Sequence, residues 1–139
     1  MRKLLVVLSL LGSQSQAQTV WFTVMGNPDD AALNTIQVDP KPEDSSDGFK
    51  TMRLRVNRSE QRTSWDGVPY RSYEARVLFD CPRKSAKYLS IAYHLEPQWR
   101  GTPVKNVDYT KGPVRPVLFK DVEPNPTARI VRAACGGNS

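Results

Sequence analysis

The stretch SYEARVLFDC, residues 72–81, alternates along its length, broken only at Leu78. Tyr73, Ala75, Val77 and Phe79 fall on one side of an extended chain, and Glu74, Arg76 and Asp80 fall on the other. A strand with one apolar and one polar side belongs to an antiparallel sheet covered on a single face. The strand runs straight into Cys81, and the only other cysteine is Cys135. What those two thiols do depends on the compartment they meet.

The N-terminus supplies that compartment. Met1 is followed by Arg2 and Lys3, by the apolar run LLVVLSLLG, and by SQSQAQ, which places Ser15 and Ala17 at the −3 and −1 positions of a cleavage site. This is the pattern of a secretory signal peptide over residues 1–17, with a mature chain expected to begin at Gln18. The apolar run falls well short of the about 20 residues a membrane span needs, and no later segment is longer, so no transmembrane segment is expected in the mature chain. No cysteine lies near the junction to carry a lipid, and a soluble exported protein is expected: periplasmic, cell-surface or secreted. In an oxidising compartment an even pair of cysteines reads as a disulfide, Cys81–Cys135. A catalytic or metal-binding thiol needs a second Cys two residues away or a cluster of His, and the chain has neither.

At 39% hydrophobic and 24% charged residues the chain is too apolar for intrinsic disorder, and it suits one domain with one core. Removing Arg2 and Lys3 takes the formal net charge from +6 to +4, which permits anionic partners without demanding them. Short alternating segments dominate: 20–25, 34–39, 50–59, 71–81 and 86–95, separated by Pro, Gly, Asn and Asp. In 50–59, Met52, Leu54 and Val56 alternate with Arg53, Arg55 and Asn57. Helical periodicity appears once, in EPNPTARIVRAACGG, with Asn125 as expected N-cap, Pro126 at the first helical position, Ile130, Val131 and Ala134 on one side, and Gly136 past the end. A helix of about ten residues is marginal alone in water, so a bridge from Cys135 to the end of a strand would hold it against the sheet. The expected fold class is α+β: a mostly antiparallel sheet of about five to six strands, with one C-terminal α-helix packed on it and tethered by a disulfide.

The order of these features resembles the surface-adhesin protein E family: a first strand led by Trp21, the element Val38-Asp39-Pro40, a strand ending in Phe79-Asp80-Cys81, a Tyr-rich strand after it, and a terminal helix ending at Cys135. The resemblance spans about residues 20–136, the expected domain. It implies a bacterial cell-envelope or secreted protein; founding members are outer-membrane adhesins that bind host matrix and serum proteins. The chain departs from those adhesins in having no lipobox cysteine.

Two groups of residues are candidate binding surface. Arg53, Arg55, Arg58 and Arg62 lie close in sequence and either form a basic stripe for an acidic polymer or pair with Glu74 and other acids across strands. RTSWDGVPYRSY, residues 62–73, sets Trp65, Tyr70 and Arg71 around a turn at Asp66-Gly67. Trp, Tyr and Arg dominate interface hot spots, while the same rings also serve to cap a core edge or join two copies in a homodimer. Trp99, in EPQWRGTPV, carries the same two readings. No catalytic constellation, cofactor motif or nucleic-acid motif emerges, and His94 has no partner in sequence for metal or proton transfer. A non-enzymatic exported binding protein is expected, recognising a protein or an anionic polysaccharide; the alternative is a periplasmic structural or assembly protein of the envelope.

Overall fold

The computed structural model describes residues 20–136; the segment expected to be the signal peptide lies outside them. Strand β4 (Phe49–Thr63) is the spine, and β5 (Pro69–Asp80) pairs with it antiparallel along most of its length. Their connection is built by one side chain. Ser64 Oγ accepts the N–H groups of Asp66 and Val68, while Ser64 N–H reaches Val68 O at 2.9 Å and Gly67 N–H reaches Ser64 O at 3.0 Å. On the far edge of β4, strands β2 (Thr35–Val38) and β3 (Asp44–Ser46) lie end to end. The turn from β3 into β4 is Asp47-Gly48, with φ of 52° and 84°, the double positive φ of a primed turn whose twist matches the strands it joins.

The full order is β1-β2-β4-β5-β6-β7, all antiparallel, with β1 (Phe22–Met25), β6 (Ser85–His94) and β7 (Lys105–Asp108) completing seven strands. Two of these, β3 and β7, lie beyond the segments the alternation picks out: neither DSS nor KNVD carries an apolar face. In β6 the core residues Tyr88 and Ile91 are three apart, a spacing that strict alternation would send to opposite faces. Register passes from Arg76–Ser90 to Val77–Tyr88, so Leu89 is an extra residue. That bulge brings Tyr88 and Ile91 back to one side.

The C-terminal third covers the core face. Ile130, Val131 and Ala134 of α1 (Thr127–Cys135) join Ile36, Val38, Met52, Leu54, Val77 and Phe79 in one buried cluster. Ahead of α1, residues 115–122 form a strap. It binds β6 through Tyr88 N–H to Arg115 O at 2.9 Å and Val117 N–H to Ala86 O at 3.0 Å, and inserts Val117, Phe119 and Val122 into the same cluster. The helix starts one residue later than expected: Pro126 occupies the cap, and Asn125, one position outside, still accepts the Thr127 N–H at 3.0 Å. The opposite face is covered too, at one end. Asn57, 1% exposed, donates to Ala31 O and Leu33 O and accepts the Gln98 N–H, which binds loop 27–34 and turn Pro97–Trp99 over that face. Single-sided cover fails here because asparagine satisfies buried polar backbone in a way an apolar residue would not.

Cys81 and Cys135, 54 positions apart in sequence, form the expected disulfide with Cα atoms 5.6 Å apart. It joins the end of β5 to the last turn of α1, a helix too short to stand alone. Replacing Cys135 with Ser is expected to lower the unfolding free energy by about 2–5 kcal/mol, measured by denaturant titration. Amide exchange should rise first at residues 130–135 and only later in β4 and β5; simultaneous loss of protection in both would show that the bridge does not anchor the helix separately.

Candidate functional site

Alternation along β4 places Met52, Leu54 and Val56 inward, and the next residue of the same parity is Arg58. The core face therefore ends in a guanidinium. Between Asn57 and Arg62 the pairing with β5 is interrupted, and Arg58 lies 4% exposed with its guanidinium 5.7 Å from the ring centre of Phe119. One carboxylate answers it: Asp121, on the strap, pairs with Arg58 and sits 3.2 Å from Arg62. Arg58 Nε is buried without a partner.

Around this group the structure opens a cavity of about 240 Å³, walled mainly by Trp65, Tyr70, Tyr73, Tyr88, Tyr93 and Phe119. All five tyrosines of the chain gather here or next to it. Tyr70 contacts Tyr73 and Tyr93 at ring separations of 5.6 and 5.1 Å, within the range where tilted aromatic pairs attract. The Tyr73 and Tyr88 hydroxyls are 2.6 Å apart, the Tyr93 and Tyr109 hydroxyls 2.8 Å apart, and Tyr109 donates on to Asp66. Burial is the largest influence on these phenols and pushes all of them up, Tyr93 to about 12. Trp65 stands at the mouth, half exposed, across Tyr88 and Tyr109, with the Arg115 guanidinium 5.1 Å from its ring centre.

A second cluster lies on the opposite face. The Arg55 guanidinium is sandwiched between Trp99 at 4.0 Å and Trp21 at 4.5 Å, and its Nε donates to Gln37 Oε1 at 2.6 Å. Burial, with help from neighbouring Arg53, lowers its pKa to about 10. Trp99 is fixed for this contact at some cost, since Gln98 and Trp99 both take positive φ, 57° and 59°. Its backbone N–H donates to Ser72 Oγ at 3.0 Å and its indole N–H to Tyr73 O at 2.9 Å.

The eight candidate residues thus divide. Arg58, Arg62, Trp65 and Tyr70 meet at the tyrosine cavity. Arg53 and Arg55 share the opposite face, Arg53 paired with Glu74 and Arg55 held with Trp99. Arg71 spans the interrupted pairing, donating to Arg58 O at 2.7 Å and Ala31 O at 2.6 Å. The parity of β4 carries the signal that separates Arg58 from Arg53 and Arg55. Asp121, Tyr88, Tyr93 and Phe119 join the site through long-range packing, for which a local pattern gives no signal. His94 is buried with Nδ1 3.3 Å from Arg100 O, and among the described residues no cluster of His, Cys, Asp and Glu has the makings of a metal site. No helix among the described residues is long and apolar enough to cross a membrane.

A family model described as surface-adhesin protein E matches residues 21–136. A search of curated proteins and of solved structures finds no match.

The tyrosine cluster sets a pH dependence. Each phenol is held neutral in the folded state above its ordinary value near 10, so its contribution is fully present below about pH 10 and is lost as pH rises through the folded values. Phenolate absorbance should stay low past pH 10 and then rise cooperatively with unfolding towards about pH 12. A gradual titration centred near 10 in the folded protein would mean that water reaches the hydroxyls freely.

Proposed function

The chain belongs to the surface-adhesin protein E family, and from that premise we propose that it is an exported binding protein that works by surface recognition, without chemistry, on a host or envelope protein or an anionic polymer. The observation that supports this most is the mouth of the tyrosine cavity. Trp65 presents half its surface to solvent while its other face rests on Tyr88 and Tyr109, so the ring is already ordered before a partner arrives. A pre-ordered aromatic loses little side-chain entropy on binding and buries a large area. Arg62, Arg58 and Asp121 behind it add a charged interior, the combination of apolar wall and few polar groups that suits recognition. The Arg53–Arg55 face offers less, since both guanidinium groups already have partners.

The test is a paired measurement. Trp65→Ser combined with Arg62→Gln should leave the melting temperature within a few degrees of the parent, because both side chains are partly exposed. The same variant should bind at least about tenfold more weakly to immobilised matrix and serum proteins and to heparin, as loss of a hot spot does. Unchanged capture on every one of these surfaces would remove the cavity mouth as the recognition surface. Antibody access on intact cells, with fractionation, places the protein: protection beneath the outer membrane would favour the envelope-assembly alternative.

A further inference from the structure

We propose that the tyrosine cavity is a receptor site for one carboxylate-bearing sugar ring, of the uronic or sialic acid kind, whose carboxylate takes the place of Asp121 on Arg58. This deepens the recognition reading above and rests on it. Three features of the cavity carry it. The first is the buried cation. Arg58 is 4% exposed, its Nε has no partner, and a buried charged donor left unmade is costly, so the site gains by receiving an acceptor.

The second is the anion already there. Asp121 holds Arg58 and Arg62 from the strap, yet its own side chain is 41% exposed. Because water reaches the aspartate, releasing it to solvent costs little, while a carboxylate arriving from outside can accept from Arg58 Nε as well. Asp121 thus acts as a built-in competitor that keeps the guanidinium satisfied when no ligand is present.

The third is the shape and chemistry of the walls. At about 240 Å³ the cavity is below the about 300 Å³ where sites for drug-sized ligands begin, and it admits one ring. A bare phosphate or an aspartate side chain would leave most of it empty. An aromatic acid would fill it but leave the polar groups of the wall without partners. In the hydroxyl pair of Tyr73 and Tyr88 one hydrogen bond uses one of two hydroxyl hydrogens, so one donor remains for an oxygen of the ligand. A pyranose acid meets these demands: its carboxylate goes to Arg58, a ring hydroxyl accepts from the tyrosine pair, and its C–H faces lie against the electron-rich faces of the rings.

The experiment is calorimetric titration of the purified protein and its Asp121→Asn and Arg58→Gln variants with glucuronate, N-acetylneuraminate, glucose and benzoate. Glucuronate or N-acetylneuraminate should bind the parent, the stronger of the two identifying the source. Asp121→Asn should bind that acid about tenfold more tightly, because the competitor has lost its charge, and Arg58→Gln should not bind it. Glucose and benzoate should give no saturable heat. Should Arg58→Gln fail to fold, Asp121→Asn, a change at a partly exposed side chain, still decides the matter. Failure of both acids to bind parent and Asp121→Asn alike, equal binding of glucose or benzoate, or unchanged affinity in Asp121→Asn overturns the proposal. Capture of macromolecular partners that persists in the parent after such a failure would leave surface recognition standing and remove only the sugar.

Discussion

The period of two along β4 is the constraint from which the rest follows. A strand that buries Met52, Leu54 and Val56 on one side must deliver residue 58 to that side as well, and residue 58 is an arginine. An apolar core cannot continue past a buried guanidinium. Beyond it the interior changes character, to tyrosines with hydroxyls in mutual contact, one aspartate, and an opening to solvent. Core and cavity are thus two ends of one strand face, divided at Val56 and Arg58.

The covering segment divides in the same place. Where the face is apolar it is met by α1, whose Ile130, Val131 and Ala134 are fully packed and whose last turn is bonded to β5 through sulfur. Where the face turns polar it is met by the strap, which brings Phe119 to one side of Arg58 and Asp121 to its charge. A covalent anchor serves the part with no slack, and hydrogen bonds with an ion pair serve the part that borders the opening. The short helix has few hydrogen bonds of its own with which to resist fraying, and its sequence-distant partner supplies what local propensity lacks.

Much of this was readable from the residues alone, for a physical reason that also marks the limit. The alternation in 50–59 and 71–81, the Asp66-Gly67 turn, the terminal helix and the Cys81–Cys135 pairing are local or compartment-level properties, and each appears in the structure. β3 was hidden because Asp44-Ser45-Ser46 has poor strand propensity, although the Asp47-Gly48 that follows is a strong hairpin signal. The helix cap fell one residue off because Asn125 caps from outside the first turn. The cavity was legible only in part. Trp65, Tyr70 and Arg62 are near in sequence, whereas Asp121 and Phe119 arrive from the strap and Tyr88 depends on a bulge at Leu89 that no propensity announces.

The two rims of the sheet carry a consequence for how this protein meets its own copies. At one rim, β1 has four residues and a break in register between Thr23 and Met25. At the other, β7 stops at Asp108 and its line along β6 resumes only at Pro116, after an excursion through Gly112 and Pro113. Neither rim offers a long, flat run of free amides and carbonyls, and proline in the second removes a donor where an incoming strand would need one. Such rims resist strand-by-strand growth between copies, and contact between copies is left to side chains.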